Sequence, residues 1–450
     1  MHLPHPLNMD PPDLGQGISR RQALGTLGAL LLPWDLARAS SPSTAEPPPA
    51  SPAPSPVAAQ TAAMPLPPDL VNLHPLIEEA ARINAPRLSY LEPRWSDLGE
   101  WQRAARPVFL DRLGYQPSVP PVAAELLRKE RRKGFTLEVL TLSATPAYRI
   151  PAWVLVPEGP AKRRPAVVAL HCHGGSFVWG HEKILSSPDD SPSLLAYRKE
   201  LYGGRAWAEE VARRGYVVIV IDGFYFGSRR LQAEKLDPDL VYYLETREYY
   251  RICRTAKPGS PEWIAAANAF SYYYEHLTAK SIDATGATWP GILLWDDMRT
   301  VDYLLTRPEV DPERIGCAGL SGGGFRSALL AAADPRVKVA SVTGWMTVMD
   351  QLLRNHLHYH SWMTFIPGLY RSLDMPDFVG LHAPNALLVQ QCTQDGLYPM
   401  SAMEAAVEKL RRIYAKAGVP ERFLGSFHAV PHSFTPAMQG EAFTWFDRWL

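Results

Sequence analysis

Cysteine is scarce in this chain. Its four residues, Cys172, Cys253, Cys317 and Cys392, show no metal-type spacing. Three lie in apolar runs of strand length, so buried free thiols are expected rather than a disulfide framework. Net charge is absent too: 46 basic side chains face 46 acidic ones. That balance gives no electrostatic reason to expect nucleic acid or an anionic membrane as partner. The apolar run near the N-terminus, Ala23 to Leu32, is shorter than the roughly 20 residues a bilayer span requires. No internal repeat is visible. Hydrophobic side chains are plentiful at 46% of 450 residues, ample for a buried core.

Residues 1–39 read as an address rather than as fold. Ser19-Arg20-Arg21-Gln22-Ala23-Leu24 precedes the mild apolar run, and Ala37-Arg38-Ala39 offers a small-x-small cleavage site. Twin arginines before a weakly hydrophobic segment resemble a Tat export signal. From residue 40 to 68 the chain is proline, alanine and serine with hardly a large apolar side chain. Such a stretch cannot offset its ordering entropy, so a disordered tether is expected. Residues 69–134 are read as a helical lead-in, with periodic segments at Leu73–Ala85 and Leu98–Leu113.

From residue 135 the periods change. Phe135–Leu142 and Tyr148–Pro157 read as an antiparallel pair. Ala166–Leu170, Tyr216–Ile221, Ile315–Leu320, Val337–Val342, Ala386–Gln391 and Arg422–Ala429 read as further strands, several of them continuous apolar runs of the kind covered on both faces. Helical patterns alternate with them at Ser193–Arg214, Trp295–Thr306, after Ser321, at Ala402–Ala417 and from Pro436. Strands alternating with helices predict an α/β fold: a mostly parallel sheet of about eight strands with helices on both faces. Insertions at 228–290 and 345–384 leave carboxyl ends of strands, where open α/β sheets place ligands, and are cap candidates.

The chemistry centres on Gly319-Leu-Ser321-Gly322-Gly323, where an apolar strand turns abruptly into a helical pattern. Such a turn must strain its middle residue and lift the Ser321 hydroxyl clear of the sheet, with the Gly322 N–H at the positive end of the helix. A serine needs a base, and the base an orienting acid. Asp395 follows one strand and His432 the last, so Ser321, Asp395 and His432 run in the chain order of α/β-hydrolases. Asp350 and Asp374 compete with Asp395, and His428 with His432. A second oxyanion donor is expected from the turn His171-Cys-His173-Gly174-Gly175-Ser176, through the Gly175 N–H. His356, His358 and His360 alternate, but no carboxylate stands at ligand spacing, and lining a pocket is the better reading than a metal site. Trp179, Trp289, Trp345 and Trp362 lie in loops where a sugar could stack or the core could close.

Taken together, the His-Gly-Gly turn, the Gly-Leu-Ser-Gly-Gly elbow, Asp395 and His432 resemble the α/β-hydrolase superfamily across residues 135–450. Val218-Ile-Val-Ile-Asp222-Gly-Phe-Tyr-Phe-Gly227 and Trp295-Asp-Asp-Met-Arg-Thr-Val-Asp-Tyr-Leu304 are similar to its acetyl xylan esterase and dienelactone hydrolase-like branch. The resemblance implies hydrolysis of carboxylic esters without a cofactor. Dienelactone hydrolases use a cysteine where Ser321 stands, and many relatives carry a glycine before the acid where this chain has Gln394. The expected substrate is a small-molecule or carbohydrate ester; a serine peptidase and a catalytically silent carbohydrate-binding relative are the alternatives.

Overall fold

The computed structural model describes residues 70, 72–159 and 163–450; the expected export signal and the whole of the expected linker, residues 40–68, lie outside the described residues. Nine strands form one sheet: β1 (Glu125–Arg132), β2 (Phe135–Thr145), β3 (Tyr148–Pro157), β4 (Arg164–Leu170), β5 (Val217–Ile221), β6 (Val310–Leu320), β7 (Val337–Thr343), β8 (Ala386–Cys392) and β9 (Phe423–His428). Their order is β1-β2-β3-β5-β4-β6-β7-β8-β9. The pairs from β1 through β3 to β5 are antiparallel, and β5-β4-β6-β7-β8-β9 are parallel. The helices are α1 (His74–Ile83), α2 (Leu98–Leu113), α3 (Pro192–Tyr202), α4 (Trp207–Arg213), α5 (Thr246–Thr255), α6 (Pro261–Asp283), α7 (Trp289–Leu304), α8 (Gly322–Ala333), α9 (Met375–Gly380), α10 (Met400–Lys416) and α11 (Pro436–Trp449).

The continuous apolar strands feed a core on each side of the sheet. Val168, Leu170, Ile219 and Ile221 point into one cluster, and Val167, Ala169, Val218 and Val220 into the other. Because successive side chains alternate faces, a strand covered on both sides must be apolar at every position. All four cysteines are buried and free.

Three local expectations are corrected. Residues 125–132 pair with β2 as an edge strand, not a helix. Glu-Leu-Leu-Arg-Lys-Glu-Arg-Arg suits a helix by propensity, but the Lys133-Gly134 turn, with Gly134 at φ +89°, folds it back on β2. Its charged, exposed side chains also protect the open edge. Second, the helix expected over 193–214 is two. Gly203, at φ +60°, ends α3, and a Cβ there would stand 2.4 Å from Pro436 Cδ. Third, α7 starts six residues before the expected Trp295, because the Thr288 hydroxyl accepts the Gly291 N–H at 3.0 Å and Pro290 occupies the first turn.

The parallel strands bring Leu170, Ile221, Leu320, Thr343, Cys392 and His428 to one rim. The 228–290 insertion leaves that rim and packs α5 and α6 around its own small core, including Cys253, Trp263, Phe270 and Tyr274. The 345–384 insertion contributes short turns and α9. No helix among the described residues is long and apolar enough to cross a membrane.

Candidate active site

Ser321 joins β6 to α8 at φ +58° and ψ −120°, a conformation that a residue with a Cβ holds only when its surroundings impose it. Its N–H donates to the Thr343 carbonyl and its own carbonyl accepts the Phe325 N–H, both at 2.8 Å. The flanking glycines are required by contact. A Cβ on Gly319 would stand 2.5 Å from the Leu170 oxygen, and one on Gly323 only 2.2 Å from it. Beyond Gly322 every residue of α8 is buried, so the helix cannot rotate away from the turn.

Asp395 and His432 come together 37 residues apart in sequence. His432 Nδ1 lies 2.5 Å from Asp395 Oδ2, and the other carboxylate oxygen accepts the Leu397 N–H at 2.9 Å. Asp395 is buried. The imidazole lies over Gly344, where a Cβ would come within 3.2 Å of His432 Cε1. Gly344 directly follows Thr343, the residue that holds the Ser321 N–H. The ring is therefore beside the serine turn, and its Nε2 is buried without a hydrogen-bond partner among the described residues.

The competitors lie elsewhere. Asp350 is exposed at the start of a 3-10 turn. Asp374 caps α9, accepting the N–H groups of Met375 and Met349. Burial raises its carboxyl to about 6. His428 Nε2 lies 3.1 Å from both Ser426 Oγ and Glu441 Oε2.

The loop expected to supply an oxyanion donor is turned differently from expectation. The Gly175 N–H, predicted to face the carbonyl, donates instead to His173 Nδ1 at 3.0 Å. Gly174 and Gly175, at φ +53° and +66°, curl the chain back onto that ring. The loop residue that meets the serine turn is His173. A Cβ on Gly322 would stand 3.0 Å from the His173 nitrogen, so the His173 backbone lies against Gly322.

Both insertions reach this loop. Glu275, buried on α6, lies 3.1 Å from His173 Nε2 and accepts the Ser361 hydroxyl at 2.8 Å. Asn268 Oδ1, also on α6, accepts the N–H groups of Phe177 and Val178. His360 packs its ring against Tyr398 at 4.9 Å, and burial lowers its imidazole to about 4, which keeps it neutral. No sequence signal marked Glu275 or Ser361, because each matters only through a contact made across the fold. Of the four tryptophans expected in loops, Trp289, which opens α7, and Trp345 are buried, Trp179 is half-buried against Tyr197, and Trp362 is 52% exposed. Among the described residues, His181, Glu182 and Asp222 are the one group of metal-ligand type within 4.8 Å of one another. Asp222 already accepts from His181 N–H, Ser228 N–H and the Ser228 hydroxyl and lies 2.8 Å from His181 Nδ1, which explains the group as a hydrogen-bonded loop anchor.

A largely parallel sheet, a strained serine at a strand-to-helix turn, and an acid and an imidazole beyond later strands are the features of the α/β-hydrolase fold, and this chain has that fold. No family model matches the chain. It is 27% identical over 346 residues to the provisionally named hydrolase YtaP of Bacillus subtilis (strain 168), a match covering 75% of this chain and 96% of that protein. A provisionally assigned acetyl xylan esterase from Bacteroides fragilis NCTC 9343 superposes with a TM-score of 0.58 at 17% identity, over 79% of this chain and 82% of its own. The glucuronoyl esterase from Solibacter usitatus superposes with a TM-score of 0.54 at 16% identity, over 81% of this chain and 97% of its own.

Proposed function

We propose that this protein is an exported serine ester hydrolase that removes small acyl groups, acetyl above all, from carbohydrates or similar polar alcohols. The observation that carries the reading is the Asp395–His432 contact, with the unpartnered Nε2 beside the Ser321 turn. In the reaction, Nε2 takes the Ser321 hydroxyl proton as Oγ bonds to the acyl carbon. The carbonyl oxygen becomes an oxyanion, for which the N–H groups of Gly322 and His173 are the proposed donors, His173 taking the part expected of Gly175. Collapse breaks the bond to the alkoxy oxygen, which leaves with the proton from His432. Water, deprotonated by the same imidazole, then releases the acid and restores Ser321. Asp395 holds the ring with Nδ1–H toward itself, leaving Nε2 free to accept.

The names of the similar proteins, a hydrolase, an acetyl xylan esterase and a glucuronoyl esterase, support an ester of a carbohydrate as substrate. A fluorophosphonate probe tests the chemistry: one adduct on Ser321 is expected, and none when His432 is replaced by Ala. A folded protein that takes no adduct would favour the silent binding relative. On a panel of 4-nitrophenyl acyl esters, acetylated xylan and peptide amides, short acyl esters are expected to turn over fastest; amides cleaved at a similar kcat/KM would favour the peptidase.

Export is part of the same proposal and rests on Arg20 and Arg21. Arg20→Lys together with Arg21→Lys is expected to leave an uncleaved precursor in the cytoplasm. Normal export and cleavage of that variant would rule the Tat route out.

A further inference from the structure

Lys183 is completely buried, on the short turn after the oxyanion loop. Its ammonium donates to three backbone carbonyls of that loop: Cys172 at 2.8 Å, His173 at 2.9 Å and Ser176 at 2.7 Å. No carboxylate forms an ion pair with it among the described residues. The aromatic faces of Phe226 and Tyr197 lie 4.6 and 5.7 Å from the nitrogen. A buried cation held by carbonyl dipoles and ring faces, with no carboxylate paired to it, is costly to desolvate, and one set behind a proposed catalytic loop calls for an explanation.

The peptide plane supplies it. In a trans peptide the C=O and the N–H of one unit point in opposite directions. Cys172 C=O and His173 N–H belong to one such unit. With the carbonyl drawn onto Lys183, the N–H is turned the other way, and the His173 nitrogen is the atom that lies against Gly322. We infer that Lys183 is a positioning residue for ester hydrolysis: its ammonium orients and polarises the Cys172–His173 peptide so that the His173 N–H faces the forming oxyanion. This inference rests on the ester-hydrolase reading above.

The charge acts as well as the geometry. A cation behind the carbonyl draws electron density from the amide and strengthens its N–H as a donor, in a site where water cannot screen it. Removing the proton would weaken all three carbonyl contacts together. Burial pushes the Lys183 ammonium down to about 8 from an ordinary 10.5, against the pull of the Cys172 thiol and the Glu182 and Asp222 carboxylates. The Arg326 guanidinium adds to the lowering, and neutral His171 lies close by.

The sign of the stability effect separates rate from fold. Between about pH 8 and 10.5 the unfolded chain keeps a proton that the folded chain has lost, so the contribution of Lys183 to stability rises with pH across that window. A fall in rate there is not a loss of structure through this residue.

The test follows kcat and KM of the full chain on 4-nitrophenyl acetate from pH 6 to 10, corrected for spontaneous hydrolysis, with near-UV circular dichroism as the check on folding. Wild-type kcat is expected to fall above pH ~8 while the dichroism holds. Lys183→Met is expected to lower kcat at pH 7 by about 100-fold, with KM within about threefold, and to lose that alkaline limb. A folded Lys183→Met whose kcat stays within about threefold of wild type, or which keeps the limb, overturns the inference. If Lys183→Met does not fold, the wild-type profile decides: a limb near 8 with intact dichroism supports the role, and a flat kcat to pH 10 overturns it. The reading beneath has its own control. Turnover that survives in Ser321→Ala would remove the proposed acyl-enzyme on Ser321, whatever Lys183→Met does.

Discussion

Ser321→Ala is expected to lower acyl ester turnover by about a million-fold while leaving the protein folded. The size follows from the interdependence of the three side chains: without the nucleophile, neither the base nor its orienting acid has a proton to handle, and what survives comes from substrate binding and the oxyanion donors. The folding half follows from the turn itself. Its backbone hydrogen bonds to Thr343 and from Phe325 do not involve the serine hydroxyl. Alanine keeps the Cβ, and with it the strain at φ +58°. Ser321→Gly should be equally inactive yet more stable, by about 1 kcal/mol, because glycine enters that region without a steric penalty. Steady-state kinetics beside thermal unfolding of the two variants checks both halves. Turnover in Ser321→Ala within tenfold of wild type would move the nucleophile elsewhere, and a less stable Ser321→Gly would deny that the turn is strained.

The second large effect is expected at Asp395. Asp395→Asn preserves the shape of a buried side chain and an oxygen to accept the Leu397 N–H. What it removes is the anion that pulls Nδ1–H of His432 toward the acid. An amide can present its NH2 group to Nδ1 instead, which leaves the proton on Nε2, on the side that must accept one. The loss is tautomeric and electrostatic rather than structural, and about 10⁴-fold in kcat is expected. The comparison variant is Asp350→Asn. That carboxylate is exposed on a 3-10 turn, and its removal should leave kcat within about twofold. Equal losses in both variants, or none at Asp395, would break the proposed assignment of the acid.

The two residues differ in how readable they were. Asp350, Asp374 and Asp395 all follow strands on the same side of the sheet, so position along the chain does not separate them. Distance does: only Asp395 meets His432, while Asp374 is taken up by the first turn of α9. The proposed oxyanion loop makes a related point. Gly174 and Gly175 stand out in the sequence because glycine permits unusual backbone angles. Yet which N–H faces the cleft depends on how each peptide plane is turned, and the groups that turn them, Lys183 and the His173 ring, act through space. Glu275 lies among tyrosines on a helix whose spacing speaks only of packing. Its contact with His173 exists only because α6 packs beside that loop in the fold. β1 was missed for a different reason: its composition suits a helix, and β2 was available to outbid local propensity with a ladder of backbone hydrogen bonds.

Covalent order and side-chain period were enough to establish the layered α/β architecture, the strained serine turn and the succession of serine, acid and imidazole. Each is a local demand: a strand buried on both faces must be apolar throughout, and a turn that brings backbones within touching distance tolerates only hydrogen as a side chain. Which of the candidate acids meets His432, which loop nitrogen lies against the serine turn, and the buried ammonium behind it depend on the tertiary fold. Those are contacts between residues far apart in the chain, and hydrogen-bond strength depends on ångströms and angles that no one-dimensional pattern encodes.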